Sequence, residues 1–134
     1  MKTGSKLEET ASYSRAVMVD NWIYVSNTAG RNPVTQKIPE DIIEQTQQVF
    51  HNIERALAAV DATLADVVMS RVFIQNPAET HTVMEFIGTK FRGVNPATTV
   101  TSPPLGSAEY KVELEVTAYR GAGSAQVEEV LISV

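Results

Sequence analysis

Tyr110-Lys111-Val112-Glu113-Leu114-Glu115-Val116-Thr117-Ala118-Tyr119 alternates polar and apolar residues from end to end. Side chains along a strand point to its two faces in turn. The stretch therefore predicts a β-strand with Val112, Leu114, Val116 and Ala118 on a core, and Lys111, Glu113, Glu115 and Thr117 on a wet or specialised face. A second stretch, Val67-Val68-Met69-Ser70-Arg71-Val72-Phe73-Ile74, is almost continuously apolar, which predicts a strand covered on both faces. Ile42, Ile43, Thr46, Val49, Phe50, Ile53, Leu57 and Val60 recur at three- and four-residue steps, one apolar stripe on a long helix that opens at Pro39-Glu40-Asp41. Residues 78–91 predict a second helix with Val83, Phe86, Ile87 and Phe91 inward.

Outward from these elements, Ala16-Val17-Met18-Val19 and Trp22-Ile23-Tyr24-Val25 flank the turn pair Asp20-Asn21. Gly30, Asn32-Pro33 and Pro39 mark a loop with a short strand over 34–38, and Thr98-Thr99-Val100-Thr101 begins another strand. Residues 121–125 read as a joint, and 127–134 as an extra edge strand. The order predicts an α+β domain, one mixed β-sheet with two helices packed on one face. The other face keeps apolar residues and no third helix, so it predicts a contact surface and an oligomer.

Composition sets the limits on chemistry. The 134 residues fit a single domain over 1–134, with a core of about 12–120 and a C-terminal extension over 121–134. The absence of cysteine excludes a disulfide framework, a thiolate nucleophile and any Cys-ligated metal. His51 and His81 are the only histidines, so no metal site and no metal cofactor are expected. A net charge of −5 argues against a nucleic-acid partner. A polar start and no apolar run near the roughly 20 residues of a membrane helix predict no membrane partner and a cytoplasmic protein.

No nucleophile elbow, P-loop, zincin or dinucleotide-binding signature is present. Two carboxylates on one strand face, Glu113 and Glu115, lie about 7 Å apart and raise each other's pKa, which suits proton transfer; the same alternation also describes a solvated face. Arg71 stands in an apolar row with Val67, Met69 and Phe73. A cation buried there needs a partner, either a carboxylate of the protein or an anionic ligand.

The ordered series Tyr13-Ser14-Arg15-Ala16-Val17, Tyr24-Val25-Ser26, Glu44-Gln45-Thr46-Gln47-Gln48 with Asn52-Ile53, Ala65-Asp66-Val67-Val68, Pro96-Ala97 and Val112-Glu113-Leu114-Glu115 resembles the YjgF/YER057c/UK114 (Rid) family over about residues 12–120. The resemblance implies a chorismate-mutase-like fold and a homotrimer around a barrel-like core, with small-molecule ligand clefts between subunits. It also implies hydrolysis of reactive enamines and imines to a keto acid and ammonia, with no organic cofactor. Of the residues lining the family's cleft, the tyrosine matches Tyr13, the serine Ser26 and the glutamate Glu113, the expected catalytic group. The arginine after Pro-Ala is replaced by Thr98, placing the chain in an arginine-lacking subgroup. The family's Ser-Gly-Gln loop reads Ser26-Asn27-Thr28, and its helix asparagine is Met84.

A guanidinium grips a carboxylate through two charge-assisted bonds, whereas a threonine offers one neutral bond. The fold carries over on this ground more firmly than the activity. The expected protein is a Rid-like trimer that binds a differently anchored metabolite, with Thr98 and Thr99 offering hydroxyls and Arg71 or Arg31 as substitute cations. Its chemistry would be that of a deaminase or related hydrolase. The alternatives are a non-catalytic ligand-sensing or protein-binding trimer and, with less support, an endoribonuclease of the L-PSP kind.

Overall fold

A computed structural model describes residues 1–133. In chain order the elements are α1 (Lys6–Thr10), β1 (Ala16–Val19), β2 (Trp22–Ala29), α2 (Ile42–Ala58), β3 (Val67–Ile74), α3 (Thr80–Lys90), β4 (Ala97–Thr101) and β5 (Val112–Tyr119). They build one five-stranded sheet in the order β1-β2-β5-β3-β4. Only the β3–β4 pair is parallel.

Local chemistry sets the element ends. Asp41 caps α2, its carboxylate accepting from the Glu44 N–H at 2.9 Å. Thr63 and Asp66 form a reciprocal capping box on the turn into β3, and Asn76 with Pro77 starts the turn into α3. The apolar stripe of α2 packs on the sheet: Val49, Phe50, Ile53 and Leu57 meet a layer of Ile23, Val72, Val112 and Leu114, and all are fully buried. Phe50 also meets Phe91 edge-on at 5.4 Å, joining α2 to the end of α3.

Among the described residues, nothing covers the opposite sheet face. Val17, Val19, Trp22, Tyr24, Met69 and Tyr119 stay exposed there. Within one chain β3 is covered on one face only. Ser70, Val72 and Ile74 are buried, but Met69 and Arg71 on the other side are open. An apolar run is needed for burial on two sides but does not by itself supply the second layer.

Three further expectations change. Residues 34–38 form a loop instead of a strand, because Asn32 Oδ1 accepts the Val34 and Thr35 N–H groups and closes a local turn. Residues 127–133 pair with no strand, and Val134 lies outside the described residues. The second helix begins at Thr80, preceded by a 3₁₀ turn at Pro77–Glu79. Among the described residues, no helix is long and apolar enough to cross a membrane.

Candidate functional site

β2 carries one extra residue against β5. Val25 faces Val116, but Thr28 already faces Leu114, so a bulge falls at Ser26-Asn27. The bulge turns the Asn27 side chain toward β5, where its Nδ2 donates to Glu113 Oε2 at 2.6 Å. The Asn27 carbonyl accepts from Arg15 Nη2 at 2.7 Å. One residue thus links a guanidinium and a carboxylate.

Gln45, fully buried on α2, fixes the other side of this region. Its Oε1 accepts the Lys111 and Val112 N–H groups, and its Nε2 donates to the carbonyls of Pro39 and Glu109. The start of β5, and Glu113 with it, is therefore tied to α2. Gly30 lets the chain leaving β2 pass this helix, since a Cβ there would sit 2.5 Å from the Gln45 carbonyl oxygen. Asn52 completes the seam by donating to the carbonyls of Ala29 and Arg31.

A cavity of about 780 Å³, ample for a small metabolite, runs from Glu113 and Asn27 along β2 to the N-terminal segment and α2. Its walls carry Lys2, Arg15, Arg31 and Arg55 against the carboxylates of Glu8 and Glu113. Burial pushes the Glu113 carboxyl above its usual range, and the Asn27 bond opposes this without cancelling it. For buried Glu8 the penalty of burial is outweighed by bonds from Thr3 Oγ1 and the N–H groups of Thr3 and Gly4, helped by the charge of Arg15. Its pKa is lowered.

Of the sequence-predicted site residues, the chain brings Tyr13, Arg31 and Glu113 to this cavity. Ser26 stands beside it, its Oγ donating to the Ser14 carbonyl at 2.6 Å. Thr98 and Thr99 lie on edge strand β4. The Thr98 hydroxyl is engaged by the Pro96 carbonyl and by Ser70 Oγ. Arg71 is half-exposed and pairs with Glu115 at 3.4 Å, which corrects the picture of a cation buried in an apolar row. Arg15, Asn27 and Arg55 were not singled out. Only the break in the family's Ser-Gly-Gln loop at Asn27 hinted at them.

Among the described residues, no group of three or more His, Asp or Glu is placed to hold a metal. The chain is matched over residues 3–120 by the family model described as Endoribonuclease L-PSP. It is 34% identical to mouse 2-iminobutanoate/2-iminopropanoate deaminase over 113 residues, which is 81% of this chain and 82% of the mouse protein. It is 28% identical to the RutC family protein UK114 of Drosophila melanogaster, over 91% of this chain and 89% of the fly protein. Among solved structures it resembles Rv2704 of Mycobacterium tuberculosis, with a TM-score of 0.80, 32% identity and coverage of 89% of this chain and 96% of that one. On this family match and these likenesses, the chain belongs to the YjgF/YER057c/UK114 family.

Proposed function

We propose that this protein is a cofactor-independent hydrolase of small imines or enamines, working as a homotrimer with its ligand clefts between subunits. The observation that carries the reading is Glu113, a half-buried carboxyl with a raised pKa, held by Asn27 at the wall of a metabolite-sized cavity. A carboxyl poised closer to neutrality both takes and returns a proton efficiently. In the proposed reaction Glu113 accepts a proton from water as the water oxygen bonds to the imine carbon and the C=N π pair moves to nitrogen. The same carboxyl returns that proton to nitrogen to give a carbinolamine, then carries the carbinolamine O–H proton to nitrogen as the C–N bond breaks, so that ammonia leaves and a carbonyl remains. Tyr13 and Ser26 orient the substrate. The open sheet face, with Trp22, Tyr24 and Met69 uncovered, supports the trimer.

Thr98 supports a substrate anchored differently from the family's usual imino acids, because its hydroxyl is already bonded within the chain. The same open apolar face favours a second reading, a trimer that binds a protein partner without catalysis. Imines generated in situ decide between them, beginning with 2-iminobutanoate and 2-iminopropanoate, the compounds in the mouse relative's name. Ammonia release should exceed the uncatalysed rate for at least one small imine, and Glu113→Gln should lower it about a hundredfold or more. No acceleration of any imine, or full activity in Glu113→Gln, removes the hydrolase reading.

A further inference from the structure

We propose that Arg31 and Arg55, with Lys2 across the cavity, form a subsite for a phosphate group, so that the cavity takes phosphorylated small metabolites. The proposal rests on the reading of this cavity as the ligand site and adds a substrate class to it. Charge gathers here against the balance of the chain. The protein has a net charge of −5, yet the cavity wall carries four cations, Lys2, Arg15, Arg31 and Arg55, against the carboxylates of Glu8 and Glu113. Neither carboxylate forms an ion pair with them. Glu8 accepts from Thr3 and Gly4, and Glu113 accepts from Asn27.

Asn52 brings the two arginines to one wall. Its Nδ2 donates to the carbonyls of Ala29 and Arg31, tying the chain that leaves β2 to α2. Arg55 follows Asn52 by three residues, one turn on along the same helix face. Arg31 Nε is fixed on the Gln36 carbonyl at 3.1 Å, while its terminal nitrogens make no hydrogen bond among the described residues. Arg55 makes no side-chain hydrogen bond or ion pair there either. Its place in the last turn of α2 favours a cation, but that attraction uses the charge and none of the N–H donors. Outside the cavity, Arg71 pairs with Glu115, Arg120 holds the Val60 carbonyl and Lys90 lies over the Phe86 ring.

Two like charges on one wall repel each other, and an anion between them reverses the sign of the interaction. A phosphate monoester fits three cations better than a carboxylate, since it brings nearly two charges and three acceptor oxygens. Arg31 lies two residues, at most roughly 7 Å of chain, beyond Ala29, the β2 partner of Glu113. A phosphorylated compound of a few carbons therefore spans from this subsite to the Glu113 carboxyl. The phosphate would supply the anchor that Thr98, bonded to Pro96 and Ser70, does not.

The probes are inorganic phosphate and acetate, titrated into the full chain at constant ionic strength and followed by the Asn52 amide and arginine Nε–H resonances. Phosphate should bind at millimolar concentration or below, about tenfold more tightly than acetate. Arg31→Met and Arg55→Met should each weaken phosphate about fivefold or more, and Arg92→Met, an exposed cation outside the cavity, should not. Glycerol 3-phosphate should compete with phosphate, and glycerol should not. No phosphate binding, equal binding of acetate, or wild-type affinity in both cavity variants overturns the subsite. A single-stranded RNA that competes more strongly than glycerol 3-phosphate removes the small-metabolite class. Should a variant fail to fold, the wild-type Arg31 and Arg55 Nε–H resonances decide, since phosphate must shift both and unmoved resonances refute the subsite. The two readings fail separately. Arginine-dependent phosphate binding without imine hydrolysis keeps the subsite and removes the hydrolase, whereas imine hydrolysis without phosphate binding removes the subsite alone.

Discussion

Glu113 and Glu115 sit two residues apart on the same face of the same strand, yet they lie in different surroundings. Glu113 pairs with Ala29 just beyond the β2 bulge, takes a neutral amide bond from Asn27 and borders the cavity. Glu115 lies level with the bulge, and Arg71 directly opposite on β3 neutralises it across an exposed pair. A carboxylate balanced by a solvated arginine is a surface feature. One held by an amide under partial burial keeps its proton longer and can act on a ligand. The difference arises from one inserted residue in the neighbouring strand, not from the strand that carries the two acids.

The largest test of this contrast is Gln45→Ala. Four backbone groups lose their partner, three around the start of β5 and one, the Pro39 carbonyl, ahead of α2, so unfolding in urea should show a loss of about 3 kcal/mol or more. Loss of that anchor should also lower hydrolysis, because Glu113 is placed by it. The far end of β5 is held by fewer bonds, Arg120 donating from Nε to the Val60 carbonyl and from its backbone N–H to the Asn21 carbonyl, so a result near zero would mean that the two ends are held alike.

Asn27→Ala sharpens the contrast at the proton. The Asn27 bond favours ionised Glu113, so its removal should raise the pKa further. The limb of the rate profile that requires the carboxylate should move to higher pH, with a rate loss of about tenfold below it. A limb that stays in place, or moves to lower pH, would show that Glu113 is not the titrating group.

Arg71→Met should have the smallest effect on the dissociated single chain, a stability change within about 0.5 kcal/mol, since an exposed pair contributes little. In the proposed trimer, whose contact face carries this pair, the same change should cost more, and an equal effect in both would mean that the face stays open.

Much of the fold was legible because side-chain direction is a local property. The alternation over 112–119 and the stripe from Thr46 to Leu57 placed Leu114, Val116, Val49 and Ile53 in the core, where they are found. The short helix Lys6–Thr10 was missed, because its polar sequence has no periodic stripe and is held by the Ser5 cap and the bonds to Glu8. At the site, Glu113 and Tyr13 were legible as residue types and by resemblance. Asn27 and Arg15 were not, since a bulge is a mismatch between two strands and cannot be read from one.

By itself the sequence determined which residues of α2 and β5 face inward, where α2 starts, and which chemistries are closed for want of cysteine and further histidines. These follow from periodicity, capping and composition, each contained in a short stretch of chain. Tertiary structure alone decided that β5 inserts between β2 and β3, bringing Asn27 to Glu113 across 86 positions of sequence. It alone decided that Arg71 is neutralised at the surface while Arg15 meets the Asn27 carbonyl at the cavity wall. A charge acquires its role from the groups that surround it, and strand pairing brings those groups from distant parts of the chain.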